Sequence, residues 1–360
     1  MTTTMYREYS TKGMPFRRLG SSGLRVPLFS LGGWLTLGES VTGSSVKDII
    51  QVAFDNGINM FDTAEGYNKG QSEIAMGQAI KDLSLRRSDI IVTTKIFFGT
   101  KDGPNDTGLS RKHIIEGTKA SLERLQLEYV DVIFAHVPDY TVPIEETVRA
   151  FNYVINKGWA MYWATSEWSA RDIEEAHHVA TRLGLIPPIA EQCQHNMFHR
   201  GRPEREYLPL YERYDLGTTV WSPLAGGLLT GKYANGIPPT SRYALHASTF
   251  SSTIERLFST EEGRKKMASV QELGKVAEEE LDCTITHLAL AWLAVHQHTS
   301  TIILGASTPG QVLDNLKALA VIPKLTEEVL EKVEAILGNK PEELPTFGRP
   351  PLDVTGKTRR

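Results

Sequence analysis

Cysteine is scarce: among 360 residues only Cys193 and Cys283 carry thiols. Two thiols build no disulfide framework, and no Cys-x-x-Cys pair is present to hold zinc or run thiol redox chemistry. This usage fits a reducing compartment, and a cytoplasmic protein is expected. Surplus positive charge is also missing. The 39 Lys and Arg against 43 Asp and Glu leave a net charge of −4, which provides no basic footprint for nucleic acid or an anionic membrane surface. No run approaches the ~18 consecutive apolar residues that a transmembrane helix needs, so no membrane insertion is expected. Residues 1–13 are polar and threonine-rich without the apolar stretch of a secretory signal. They read as a flexible lead-in.

What is present is alternation. Eight short apolar or β-branched runs recur along the chain: Leu28 to Leu31, Ile58 to Phe61, Ile90 to Ile96, Val130 to Ala135, Trp159 to Ala164, Ile189 to Gln192, Thr218 to Trp221 and Thr301 to Leu304. Seven of the eight are near-continuously apolar or β-branched rather than alternating, which is the mark of buried parallel strands. Helical patterns lie between them. Val46 to Asn56 ends at Gly57, a suitable residue just past a helix end. Ser110 can cap a helix whose Ile114, Ile115, Thr118, Leu122 and Leu125 share a face. Ile144, Val148, Phe151 and Ile155 form another such face, and Ser169 opens a third helix with Ile173, Ala176, Ala180 and Leu183 inward. Strand–helix alternation predicts a parallel sheet covered by helices. Eight units favour closure into a (β/α)8 TIM barrel, with an open doubly wound sheet as the alternative. A single barrel of ~250 residues with insertions and tails accommodates this length, so one α/β domain is expected over 14–340.

Two segments break the rhythm. Phe16 to Gly20 and Leu24 to Val26 flank Ser21-Ser22-Gly23 and predict an N-terminal β-hairpin. Leu224 to Glu261, rich in Gly, Pro and Ser, is too long for a plain connection and is expected to be functional. Glu262 to Leu281 and Thr284 to Gln297 read as two helices before the last strand. Residues 341–360 read as a disordered tail.

Active sites of such barrels lie at the carboxyl ends of the strands. An acid, a phenol, an amine and an imidazole fall there: Asp62 and Tyr67 after the second run, Lys95 at the end of the third, His136 at the end of the fourth. Taken one at a time, each has a plain structural reading: a cap, a loop aromatic, a solvated amine, a core histidine. Their arrival together at neighbouring strand ends favours chemistry. A free phenol, with a pKa near ~10, is a poor acid at neutral pH. A nearby ammonium lowers that value and makes Tyr67 a better proton donor. Asp62 would hold Lys95, and His136 would orient and polarise a carbonyl oxygen. His177-His178 and the pair His195 and His199 lack metal-site spacing or a third ligand, so no metal is expected. Gly226 to Lys232 has the wrong glycine spacing for a P-loop.

The motifs Phe61-Asp62-Thr63-Ala64 with Tyr67, Thr94-Lys95, His136-Val137-Pro138-Asp139, Trp221-Ser222-Pro223-Leu224 and Gly305-Ala306-Ser307 resemble the aldo-keto reductase superfamily. Within it the chain is most similar to the β subunits of voltage-gated potassium channels and their fungal and microbial relatives. Leu109 to Asp131 and Gly236-Ile237-Pro238-Pro239 carry that likeness, which spans roughly Met14 to Lys340.

The resemblance implies NADPH/NADP+ as the cofactor of a carbonyl reductase, with Asp62, Tyr67, Lys95 and His136 as its catalytic tetrad. It implies that Gly33, Trp34 and Asp62 lie beside the nicotinamide end, that Ser166 and Gln192 hold its carboxamide, and that Trp221 stacks on the ring. Ser222, Pro223, Leu224 and Gly226 would follow the pyrophosphate, with Lys232 and Arg242 supplying positive charge. Gly305, Ser307, Gln311, Asp314 and Asn315 would grip the adenosine end. Ser307 is read as opening a helix whose free N–H groups receive phosphate, and with the two cations it favours NADPH over NADH. An aldehyde or ketone substrate would be lined by Trp34, Tyr67, His136, Phe97 or Phe98, Trp168 and Tyr140. The alternative is a regulatory subunit that senses redox state through bound NADPH with little turnover. A homo-tetramer is the assembly the resemblance implies. Three positions depart from the channel subunits. His136 stands where they carry Asn and catalytic aldo-keto reductases carry His, Glu167 stands where they carry Arg, and His195 replaces a Tyr.

Overall fold

The computed structural model describes residues 6–342 and 345. Its centre is a closed barrel of eight parallel strands: β3 (Phe29–Gly32), β4 (Met60–Asp62), β5 (Ile91–Ile96), β6 (Val130–Ala135), β7 (Ala160–Ser166), β8 (Ala190–Gln194), β9 (Gly217–Trp221) and β10 (Thr299–Leu304). β10 pairs with β3 and β9, so the sheet has no free edge. The open doubly wound alternative is thereby excluded.

The outer ring follows the apolar faces read above. It comprises α1 (Ser44–Asp55), α2 (Gln71–Asp82), α3 (Arg111–Leu125), α4 (Ile144–Asn156), α5 (Ala170–Leu183) and α6 (Leu208–Tyr214). After β9 come α7 (Arg242–Leu245), α8 (Ala247–Ser259), α9 (Glu261–Leu281) and α10 (Ile285–Val295), and after β10 come α11 (Pro309–Leu316) and α12 (Glu327–Leu337). The caps are local chemistry: Ser110 accepts from the His113 N–H and Ser169 from the Asp172 N–H. Leu224 to Glu261, read as one long loop, holds α7 and α8 and folds back over the barrel mouth.

The hairpin forms as expected from β1 (Phe16–Arg18) and β2 (Arg25–Pro27). It closes the amino end of the barrel. Leu19 and Val26 are buried with Met60, Ile91, Val132 and Phe134 in the barrel interior. Gly20 at the turn has φ +57°, and a Cβ there would stand 1.9 Å from the Ile189 carbonyl oxygen. Only glycine fits that close approach.

Residues 6–13, expected to be flexible, make contacts with the outer ring. Arg7 pairs with Asp55 of α1, and the Tyr9 hydroxyl donates to the Gly57 carbonyl at 2.9 Å. Residues 1–5 lie outside the described residues, as does the expected tail except for 341, 342 and 345. Among the described residues, no helix is long and apolar enough to cross a membrane.

Candidate active site

The hairpin blocks one end of the barrel, so the strands' carboxyl ends form the open face. There β4 and β5 run in register with Asp62 opposite Thr93. Thr93 and Lys95, two residues apart, point to the same side of β5. Both side chains therefore reach Asp62: the Thr93 hydroxyl donates to Oδ1 at 2.6 Å and Lys95 Nζ to Oδ2 at 2.6 Å.

Lys95 is fully buried and donor-only, with three protons to place. It places them on Asp62, on the Thr63 carbonyl at 2.8 Å and on the Tyr67 hydroxyl oxygen at 3.0 Å. The phenol oxygen is thus an acceptor from Lys95, and its own proton is left to point elsewhere. His136, just past β6, meets the Tyr67 ring edge-on with centroids 5.7 Å apart. Its buried Nδ1 has no hydrogen-bond partner among the described residues.

The chain reaches this geometry through a tight turn, Tyr67–Gly70, in which Asn68 and Lys69 take left-handed φ values of 43° and 49°. Glu65, absent from the sequence-based set, braces it. Its buried carboxylate accepts from the Phe97 N–H at 2.8 Å and the Gly99 N–H at 2.9 Å, and lies 2.9 Å from His113 Nε2 of α3. One carboxylate thus ties the Tyr67 turn to the loop after β5. Its place between Asp62 and Tyr67 was the available signal.

Burial raises the pKa of Tyr67; Lys95 pulls it down and the Asp62 charge adds to the rise, with a net increase. The expected net lowering is therefore corrected, because desolvation of a phenolate outweighs one ammonium already shared with a carboxylate. Burial works against the Lys95 ammonium too, yet Asp62 and Tyr67 more than offset it and hold Lys95 charged. Burial, then the Lys95 charge, pushes His136 well below its ordinary value, so its imidazole is neutral.

These groups open onto a cavity of roughly 700 Å³ across the barrel mouth. It brings together Trp34, Asp62, Tyr67, His136, Ser166, Gln192, Trp221, Ser222, Pro223, Leu224 and Gly226 with Lys232, Arg242, Gly305, Ser307, Gln311, Asp314 and Asn315. Gln192 Nε2 donates to Asp62 Oδ1 at 3.2 Å. Gly33 lies behind the wall, where a Cβ would stand 2.5 Å from Ser72 Oγ. Lys95 sits beneath the floor. Phe97 packs on the core while its neighbour Phe98, 52% exposed, lines the cavity and meets His136 at 5.0 Å. The two stand in the bend just past β5, which turns one ring to the core and the next to the mouth. Trp168 is buried and does not line the cavity; its N–H binds Glu191 and its carbonyl accepts from Tyr207. Tyr140 is 81% exposed and bonds Asp172 outside the cavity. Glu167 lines it as well, as its place after Ser166 implied, and so do Leu35, Val137 and Thr240, which were not anticipated there.

At the far end the donor set suits an anion. Arg242 is largely buried against Trp34, 5.7 Å from the ring centroid. Lys232 lies over Gly227. Neither has a carboxylate within 4.0 Å among the described residues. Burial lowers the pKa of both, and Arg242 lowers that of Lys232 further. Two desolvated cations on one wall call for negative charge. Ser307 does not open the following helix: Thr308 caps α11, and Ser307 N–H donates to Gln311 Oε1 at 2.7 Å. The proline at 309 sets the helix start one residue later than read. A dinucleotide with phosphates toward Lys232 and Arg242 fits these residues.

A separate cluster of His195, Glu204 and His296 holds ligand-type atoms within 4.8 Å of one another. Arg200 already engages both Glu204 oxygens, at 2.8 and 2.6 Å. The cluster is an ion-pair network that ties in α12 through Arg200 and Glu334.

The sequence pattern described as "Aldo/keto reductase family" matches residues 29–337. A relative from Schizosaccharomyces pombe is 52% identical over 338 residues, covering 93% of this chain and 97% of its own. One from Arabidopsis thaliana is 50% identical over 330 residues, covering 91% and 98%. One from Oryza sativa subsp. japonica is 49% identical over 335 residues, covering 93% and 100%. All three are provisionally named voltage-gated potassium channel subunit beta. With a Lys–Asp–Tyr centre at the carboxyl face of an eight-stranded barrel, and likeness over nine-tenths of its length, the chain belongs to the aldo/keto reductase family.

Proposed function

We propose that this oxidoreductase binds NADPH in the long cavity and reduces an aldehyde or ketone to an alcohol, with Tyr67 as proton donor. The observation that carries the reading is the Lys95–Tyr67 contact, which leaves the phenol proton free for a ligand. Lys232 and Arg242 would hold phosphate, and Ser166 and Gln192 would orient a carboxamide. Trp221, half-exposed on the wall, would lie against the nicotinamide. When bound, the dinucleotide supplies a hydride to the carbonyl carbon. The carbonyl π pair then moves onto oxygen, and Tyr67 gives that oxygen its proton while Lys95 stabilises the phenolate left behind. Neutral His136 would position the same oxygen. Phe98, Trp34 and Val137 exclude water around it. Solvent returns the proton to Tyr67.

The test is single-turnover oxidation of bound NADPH by 4-nitrobenzaldehyde in wild type and Tyr67→Phe. Equal rates in the two proteins would sink the proposal. A second reading draws on the relatives' names for a channel subunit and on the family resemblance for the rest: an NADPH-holding regulatory partner of a membrane channel, assembled as a tetramer. It predicts NADPH binding with no turnover and co-purification with a channel. Neutral His136 beside the phenol favours turnover. A cytoplasmic location belongs to either reading.

A further inference from the structure

The chain places Glu167 directly after β7, in left-handed backbone (φ +58°) that a non-glycine residue seldom adopts. Such a conformation persists only where its surroundings hold it. Here three donors do so. Glu167 Oε1 accepts from the Gln194 N–H at 2.8 Å and from Trp221 Nε1 at 2.9 Å, and Oε2 accepts from Arg202 at 2.6 Å. The carboxylate lines the cavity and bridges the ends of β7, β8 and β9.

The Trp221 ring meets Trp34 edge-on at 5.9 Å and lines the cavity, and its one polar atom, Nε1, donates to Glu167, a bond that orients the indole plane. That bond also acts on the ring. An indole N–H that donates to a carboxylate in a low-dielectric wall gains π-electron density, and an electron-rich face attracts a cation. Oxidised nicotinamide is a cation, whereas the reduced ring is neutral.

We infer that Glu167 is a positioning residue that fixes Trp221 and biases the cavity toward the oxidised cofactor. The inference rests on the proposed placement of nicotinamide against Trp221. Its two parts separate cleanly. The hydrogen bond needs only an acceptor at this position, while the bias needs its negative charge. Arg202, a third exposed, compensates the charge from the side away from Trp221 without touching the indole.

The test measures dissociation constants of NADP+ and NADPH for the full chain by quenching of tryptophan fluorescence, in wild type, Glu167→Gln and Glu167→Ala. Glu167→Gln keeps an acceptor for the indole and removes the charge. It is expected to weaken NADP+ about two- to fivefold relative to NADPH, the range of one cation–π contact. Glu167→Ala frees the ring and is expected to weaken both forms. In the unliganded protein it is also expected to hasten hydrogen exchange at the Trp221 indole N–H. An unchanged NADP+ to NADPH ratio in Glu167→Gln, with both still bound, overturns the inference and leaves the carbonyl-reductase reading standing. Failure of the wild type to bind either dinucleotide overturns both.

Discussion

The Lys95 ammonium stands 3.0 Å from the Tyr67 hydroxyl oxygen and gives its remaining protons to Asp62 and the Thr63 carbonyl. A donor-only group fixed in this way makes the phenol an acceptor on one side and a proton source on the other. Loss of that proton is the most direct perturbation. Tyr67→Phe is expected to slow single-turnover carbonyl reduction by about 10²- to 10⁴-fold, the usual worth of a general acid. NADPH affinity should be unchanged, which a fluorescence titration checks.

The buried pair behind the tyrosine predicts strong coupling in stability. Asp62→Ala leaves an ammonium uncompensated in a dry site and should cost about 3–5 kcal/mol. Adding Lys95→Met removes that stranded charge. The double variant should therefore be more stable in urea than Asp62→Ala alone. Additive losses would show that the two charges are not energetically paired.

The pH dependence of reduction follows from the directions of two shifts. Burial raises Tyr67, so its protonated, active form persists through neutrality, and the rate should fall only as pH rises past about 10. His136 is depressed by burial and the Lys95 charge, so it stays neutral and adds no inflection near its ordinary pKa of about 6.5. A single alkaline limb in kcat/KM is the expected profile. A bell centred near neutrality would contradict it.

Acid should loosen the fold through histidines far from the mouth. Burial pushes His177 and His296 down to about 4. A histidine whose folded value is depressed contributes stability in full above its unfolded value near 6.5, and loses it as pH falls toward 4. The urea midpoint should drop across that window. Replacing His296 with Phe should flatten part of the drop.

Lys232 and Arg242 predict cofactor choice. Either alanine substitution should weaken NADPH by about 10- to 100-fold, as expected for one charge-assisted hydrogen bond. NADH should suffer less if the extra phosphate is what they hold. Equal losses for both dinucleotides would place the cations on the shared pyrophosphate instead.

Much of the fold is legible in the sequence. The strands read well because a parallel strand buried on both faces is apolar almost throughout, as Val130 to Ala135 shows, where Asp131, paired with Arg87, is the one charged residue. Asp62, Lys95 and His136 could be placed together because they stand at or beside the ends of consecutive strands, with Tyr67 in the turn that follows the first of them. Other features depended on three-dimensional detail. The net rise at Tyr67 required knowing how dry its site is. Phe98 rather than Phe97 lines the cavity because one residue sets the face, and loop phase is not periodic. Trp168 points inward because Glu191 and Tyr207, distant in sequence, claim its backbone. Glu167 was legible only as a departure from the channel subunits, because its partners Gln194, Trp221 and Arg202 converge on it from three separate segments of the chain.

The hairpin at the amino end has a consequence for where a ligand can meet the barrel. With Leu19 and Val26 stoppering that end, the barrel is blind on one side and open on the other. A turn of three small residues, Ser21-Ser22-Gly23, at the opposite pole from Tyr67, thereby helps to give a near-symmetrical ring of strands a front and a back.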